Sequence, residues 1–300
     1  MKKTRLLVLI CTVLLFCGQA AAQKYISVYA NDNNDGTYDL YADVAKTGTF
    51  TVIIQFTRLQ NLTGSGIEAI RSSGSASMGQ EYKTSIIGSG RIMTLRPIDP
   101  TSPSYYSYNY SYIRGKLNPK VNRDFVYRLP VADGRKTTTV ILPKRDSEEN
   151  SETQNKTILF QMEAGDTVYA VRKGYVVDME NSILVEHDDG SLAQYSDIPE
   201  ESYFVKEGSM VYPDTPLGLA ARVGHDNYLV RLSIYYLFND KDFLGADILG
   251  PFKYHYIDPI FSTKEGNVMV EYGKTYTSVV TEEIITKEMS KREVKRRTKK

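Results

Sequence analysis

The chain contains little cysteine and little histidine. Its two cysteines, Cys11 and Cys17, both lie in the first 22 residues. Once those residues are removed, no disulfide framework, cysteine metal site or thiol nucleophile is possible. Its three histidines, His187, His225 and His255, form no H-x-x-x-D, H-x-H or H-E-x-x-H pattern. These absences exclude several common metal sites, and the stability of the mature protein must come from a packed core.

Residues 1–22 predict a cleaved signal peptide. A basic start is followed by the apolar run Leu6–Gly18 and by alanines before Gln23. The run is shorter than the roughly 20 residues that span a bilayer, and no second long apolar run follows. We therefore expect a secreted or periplasmic protein without a stable membrane span. Lipid attachment at Cys17 is an alternative, although Phe16 before it is bulky for such a site.

The chain has a net charge of +1, but its charged residues are unevenly distributed along the sequence. Residues 287–300 carry eight basic and two acidic side chains, which leaves residues 23–286 near −8. An acidic body argues against a nucleic-acid partner, because phosphate binding needs a basic face. Two interpretations of the basic tail remain open: contact with an anionic envelope surface, or a solvated end.

Short apolar runs of period two, separated by turn residues, predict an all-β fold. We expect an N-terminal β-sandwich-like domain, a second antiparallel β domain and a short basic C-terminal tail. The predicted boundaries are 23–131 for the first domain, 132–162 for a linker and loop, 163–280 for the second domain and 281–300 for the tail.

Four tyrosines alternate with small polar residues over residues 106–112. One strand would place all four rings on one face, where they could stack against sugar rings. The alternative is that they pack against a neighbouring strand or domain. We assign no site to this segment.

The second domain resembles a known family. In order and spacing, five segments are similar to the LytM or lysostaphin-type zinc endopeptidases, which cleave peptidoglycan cross-bridges: Gly165–Val171, Gly174–Val177, Ile183–Gly190, Val205–Val211 and Leu217–Gly218. The flanks Phe125–Pro130, Pro259–Phe261 and Gly273–Tyr276 resemble those of secreted members from Bacteroidetes-type bacteria. The resemblance implies a LytM-type antiparallel β domain.

In that family a His, an Asp and the second His of an H-x-H motif hold zinc, which activates a water molecule. Here the Asp position falls near Leu159, and the H-x-H motif becomes Arg231-Leu232-Ser233. A catalytic Y-x-H motif becomes Tyr195-Ser196-Asp197. Arg231 is always protonated and Leu159 has no lone pair. The comparison predicts a degenerate member without a catalytic residue, a metal or a cofactor.

We expect Leu159, Asp197, Arg231 and Ser233 to mark a binding groove at the degenerate site. Arg231 would pair either with a peptide carboxylate or with Asp197. His187 is expected to be structural, and His225 to lie in a solvated loop.

The sequence thus favours a secreted non-catalytic protein that binds peptidoglycan or regulates a cell-wall hydrolase. The alternatives are an active zinc peptidase with an unrecognised site and a structural envelope protein. The sequence does not indicate which oligomeric state the protein adopts.

Overall fold

The structure, a computed structural model, describes residues 25–65, 80–143, 156–224, 227–239 and 252–298. The predicted signal peptide with Cys11 and Cys17, and the predicted loop residue His225, lie outside the described residues. Among the described helices none is long and apolar enough to cross a membrane. Strands dominate the described residues, and the prediction of an all-β fold is confirmed.

By their contacts, the described residues divide into two compact units. The first takes those of Met1–Lys46, Ile53–Tyr82 and Gly88–Tyr112, and the second takes those of Thr47–Val52, Lys83–Ile87 and Ile113–Lys300. Residues 113–131, which the sequence suggested for the first domain, therefore belong to the second unit.

Most residues of the first seven strands belong to the first unit. These strands are β1 (Ile26–Asp32), β2 (Tyr38–Val44), β3 (Thr49–Gln60), β4 (Leu62–Thr63), β5 (Gln80–Ile87), β6 (Gly90–Pro97) and β7 (Tyr105–Arg114). They form a four-stranded sheet in the order β1-β2-β6-β4 and a three-stranded sheet in the order β5-β3-β7. Leu40, Ile54, Phe56 and Leu95 are fully buried in this unit.

The tyrosines of β7 pack inward. The Tyr106 ring lies 4.8 Å from the Tyr38 ring, and the Tyr108 hydroxyl donates to the backbone oxygen of Val28 at 3.4 Å. The Tyr110 hydroxyl donates to the backbone oxygen of Ile26 at 3.5 Å. These contacts place β7 against the other sheet, as in a sandwich, so the packing interpretation of the tyrosines is correct.

The remaining strands belong to the second unit. They are β8 (Val126–Arg128), β9 (Lys136–Pro143), β10 (Lys156–Met162), β11 (Thr167–Tyr169), β12 (Gly174–Asp178), β13 (Ile183–Glu186), β14 (Leu192–Ser196), β15 (Met210–Val211), β16 (Pro216–Leu219), β17 (Ala221–Val223), β18 (Asn227–Asn239), β19 (Phe252–Tyr256), β20 (Ile260–Thr263), β21 (Gly266–Met269) and β22 (Thr275–Thr277). A large sheet has the order β15-β12-β13-β14-β18-β10-β9-β22, and β17 and β19 also pair with β18. Smaller sheets are formed by β11-β16 and β21-β20-β8.

The predicted linker over residues 132–162 needs correction, because it contributes two strands of the large sheet. β10 pairs with β9 on one side and with β18 on the other. Ile158 and Phe160 enter the core, and Thr139 is fully buried. The sequence suggested a loop because residues 144–155, which lie outside the described residues, are strongly polar. The strands on either side of that run pair with each other, so the run does not mark a boundary between two domains.

Two short helices end the described chain: α1 (Glu282–Thr286) and α2 (Lys291–Arg297). Thr281 caps α1 through its hydroxyl, and Ser290 and Glu293 form a capping box on α2. Such caps satisfy backbone N–H groups that a helix start leaves without partners. We call residues 281–298 the helical clasp.

The helical clasp is held by a buried cation. Arg172 is 2% exposed, and its Nε and Nη2 donate to the two carboxylate oxygens of Glu288 at 2.9 and 2.6 Å. Its Nη1 donates to Asp189 at 2.9 Å, and its guanidinium lies 3.9 Å from the ring centre of Phe125. A buried guanidinium requires a carboxylate partner, so the described part of this tail is docked through Glu288 and is not a frayed end. The side chains of Lys291, Arg292, Lys295 and Arg296 are nevertheless exposed to solvent.

Candidate functional site

The candidate residues meet on the outer face of the large sheet, around the middle of β18. Arg231 on β18 is in register with Leu159 on β10 and with Ser196 on β14. Side chains alternate along a strand, so Leu232 and Ile234 enter the core while Arg231 and Ser233 point away from it. The pleat therefore brings three separate sequence segments to one surface.

Arg231 is fixed by Asp197. Both Nε and Nη2 of Arg231 donate to the carboxylate, with Nη2 at 2.5 Å from Oδ1. The side chain of Arg231 is 45% exposed and that of Asp197 is 15% exposed. These hydrogen bonds raise the pKa of Arg231. Of the two partners suggested for Arg231, the structure shows Asp197, and the pair is the bidentate arrangement favoured by a planar guanidinium.

A tight turn positions Asp197. Its φ of 65° lies in the left-handed region, which aspartate tolerates better than most residues. The turn follows directly after β14, and the backbone oxygen of Asp197 accepts from Ala221 N–H at 2.9 Å. The chain therefore reverses just where the carboxylate must lie beside the guanidinium.

Polar side chains form a shallow cavity next to Arg231. It has a volume of about 150 Å³ and is lined by Thr157, Gln194, Ser196, Arg231 and Ser233. The hydroxyls of Thr157 and Ser233 are 2.9 Å apart. Tyr235 donates to the amide oxygen of Gln194 at 3.3 Å, and the Gln194 amide donates to Ser182 at 3.1 Å. The cavity can offer hydroxyl, amide and guanidinium groups to a polar ligand.

Two of the four predicted residues, Arg231 and Ser233, line this cavity, while Asp197 holds Arg231 from the side. Leu159 is half-buried beside Arg231 in the sheet but does not line the cavity. The sequence did not single out Thr157 or Gln194. The only signal for Gln194 is its polar character between the buried Ala193 and Tyr195, and such alternation is common on exposed sheet faces.

The donors at this position do not fit the zinc that the resemblance implies. A zinc site needs at least three lone-pair donors from His, Cys or carboxylate side chains. Here Asp197 is already bound to a guanidinium, Leu159 offers no lone pair, and the Ser233 hydroxyl is paired with Thr157. Over the described ranges, no group of three or more His, Cys, Asp or Glu residues is placed to hold a metal ion.

The two histidines within the described ranges lie in packed surroundings. His187 is 2% exposed, and its Nδ1 is 2.7 Å from the backbone oxygen of Lys173. Burial, with a contribution from Arg172, lowers the pKa of His187 to about 3, so the ring is neutral at pH 7. His255 is buried against the rings of Tyr236 and Phe238. The geometry of His187 agrees with the predicted structural role.

A larger cavity of about 460 Å³ lies elsewhere in the second unit, over β12 and β13. Its lining includes Tyr175, Glu186, Asp188 and Lys116. The Glu186 carboxylate accepts from Thr49 N–H at 2.8 Å and from the Thr49 hydroxyl. None of the predicted site residues lines this cavity, and the half-buried carboxylate of Glu186 is already hydrogen-bonded to Thr49.

Comparisons with known proteins assign no family. No family model matches the chain, and no curated protein matches it. Among solved structures, Csd3 from Helicobacter pylori matches with a TM-score of 0.27 and 11% sequence identity, over 71% of this chain and 67% of that chain. A TM-score of this size is too low to assign a shared fold or a function.

Proposed function

We propose that this protein is a secreted, non-catalytic binding protein of the bacterial cell wall, and that the face around Arg231 binds the peptide part of peptidoglycan. Two features support the proposal. The motifs between residues 165 and 220 resemble a family that acts on peptidoglycan peptides. A polar cavity lies at Arg231 and Ser233, the residues that the resemblance aligns with that family's H-x-H motif. The observation that carries it is the fixed, half-exposed guanidinium of Arg231 at the cavity wall.

Arg231 retains a donor for a ligand. Its Nε and Nη2 are used by Asp197, while no acceptor from the described part of the chain is bonded to its Nη1. A guanidinium that is already oriented loses little conformational freedom when it binds a carboxylate. Peptidoglycan peptides carry free carboxylates, so we propose that Arg231 pairs with one of them.

The neighbouring groups suit a peptide backbone. Ser196, Ser233 and Thr157 offer hydroxyls that can both donate and accept. Binding by shape and hydrogen bonds does not need a metal. A guanidinium cannot give up its proton at neutral pH and so cannot act as a general base. We therefore propose binding in place of peptide hydrolysis.

The test is co-sedimentation of the mature full chain with purified peptidoglycan sacculi. Arg231→Ala should lower the bound fraction several-fold, because it removes the oriented donor and leaves Asp197 to repel a ligand carboxylate. Arg91→Ala is the matched control. Arg91 lies in the first unit, pairs with Asp39 at 3.4 Å and has a side chain that is 58% exposed. Equal losses in both variants, or retention by Arg231→Ala, would refute the assignment.

Metal content provides a second check. After zinc loading and desalting, the mature protein should carry less than stoichiometric zinc by mass spectrometry. Stoichiometric zinc would favour an active peptidase and would direct attention to His225 and Asp197. Failure to bind sacculi, together with a changed rate of an added cell-wall hydrolase, would favour the regulatory alternative.

A further inference from the structure

Helix α2 uses one of its faces to hold the second unit. The Tyr212 hydroxyl donates to Glu293 at 2.7 Å, and Lys173 Nζ lies 3.4 Å from the same carboxylate. Arg297 donates to Glu282 at 2.8 Å and also to Asp214. Glu293 and Arg297 are four residues apart and so share a helix face. This face explains why α2 is docked on the second unit.

The opposite face of α2 carries only cations. Lys291, Arg292, Lys295 and Arg296 are all exposed, and none of the four has an ion pair or side-chain hydrogen bond to any residue in the described ranges. Two pairs, Lys291 with Lys295 and Arg292 with Arg296, lie four residues apart, where like charges repel and weaken a helix. Lys295 and Arg296 lie in the last turn, where cations favour the helix dipole, but no ion pair or hydrogen bond within the described residues engages any of the four side chains. We call them the basic face.

The basic face is held in a fixed position. The helix begins with the capping box of Ser290 and Glu293. Just before the cap, Glu288 is anchored by its ion pair with the buried Arg172. The four charges lie within six consecutive residues, a rise of about 8 Å along the axis. A preorganised cluster of this kind loses little entropy when it meets an opposite charge.

We propose that the basic face is an electrostatic docking surface for an anionic lipid bilayer. Charge complementarity is the argument, since each Lys or Arg close to an anionic bilayer favours adsorption. α2 exposes no apolar side chain, because its one apolar residue, Val294, is half-buried. The helix would therefore adsorb at the level of the lipid headgroups without inserting into the hydrocarbon. The proposal does not depend on the function of the Arg231 site.

A bilayer fits better than a small free anion. The four cations are exposed, and none of them lines the cavity beside Arg231 or the cavity over β12 and β13. A dense layer of headgroup phosphates can contact several of them at once, whereas a single phosphate in water is held weakly by exposed side chains.

The test uses the mature full chain and vesicles of phosphatidylcholine and phosphatidylglycerol, with pure phosphatidylcholine vesicles for comparison. The variant replaces all four residues of the basic face with glutamine. The control replaces four exposed lysines of the second unit with glutamine, namely Lys120, Lys136, Lys206 and Lys264. Both variants lose the same net charge, so the comparison isolates the position of the charges.

Each basic side chain near an anionic bilayer is expected to raise the partition coefficient roughly fivefold. Replacing all four should therefore lower binding to anionic vesicles by at least about a hundredfold. The control should lose far less, and binding of the unaltered protein should weaken as salt is raised. Thermal unfolding of both variants should match that of the unaltered protein. Equal losses in the two variants would overturn the proposal, as would binding to soluble polyphosphate without binding to vesicles.

Discussion

Replacement of Glu288 by alanine should detach the helical clasp and destabilise the second unit. Glu288 supplies two of the three ion-pair contacts of the buried Arg172 guanidinium. Removing one partner of a buried ion pair costs about 3–5 kcal/mol, because the other charge stays buried without compensation. Asp189 keeps its contact at 2.9 Å, so we expect a loss near the lower limit, about 3 kcal/mol.

The loss should be visible as a shift in thermal unfolding. For a domain of about 150–250 residues, 1 kcal/mol lowers Tm by about 2–4 °C, so the transition of the second unit should fall by about 6–12 °C. The chain has no tryptophan, so near-ultraviolet circular dichroism of its tyrosines is the suitable signal. Two units in one chain can unfold in two steps, and the fit should allow for both.

Glu283→Ala provides the matched control. Glu283 is an exposed residue in the first turn of α1. Its loss removes a favourable charge near a helix start, which is worth less than about 1 kcal/mol. If Glu288→Ala unfolds within about 1 kcal/mol of the unaltered protein, Arg172 does not hold the clasp, and the account of the C-terminal segment is refuted.

Three further predictions concern acid stability and a close backbone approach. The pKa of Glu293 is lowered to about 2, chiefly by a hydrogen bond with Ser290. The ionised carboxylate therefore adds to the free energy of unfolding above the unfolded pKa of 4.5, and this stabilisation is lost as pH falls toward 2. Glu293→Gln should remove this part of the pH dependence of stability, measured by urea unfolding. The pKa of His187 is about 3 in the folded protein and 6.5 when unfolded. As pH falls from 6.5 to 3, the unfolded chain is therefore protonated first and the free energy of unfolding decreases. His187→Gln should make the free energy of unfolding less dependent on pH between 6.5 and 3. A Cβ on Gly174 would lie 2.5 Å from the backbone oxygen of Glu186, so Gly174→Ala should cost about 2 kcal/mol or more by chemical denaturation, whereas Gly90→Ala meets nothing within 4 Å and should cost much less.

The candidate site was predicted only in part. Motif order pointed to Asp197, Arg231 and Ser233, and all three lie around one sheet face. The same reasoning could not find Thr157, because its place beside Ser233 depends on how β10 pairs with β18. Strand register is set by turns and by the fit of side chains in the core, and neither can be read from an isolated segment.

The sequence by itself determined the all-β class, because period-two patterns and turn residues recur along the chain. It also showed that the chain carries Arg231 and Leu159 at positions that the motif resemblance aligns with metal ligands or catalytic groups of the resembled family. The tertiary structure alone decided three other points: the pairing of β9 and β10 inside the large sheet, the bond between Arg231 and Asp197 and the docking of the basic tail on Arg172. The last two join residues that are far apart in the chain, and the first pairs consecutive strands across the polar run 144–155. Such contacts depend on the tertiary topology, because strand pairing and the packing of distant segments are not fixed by local sequence patterns.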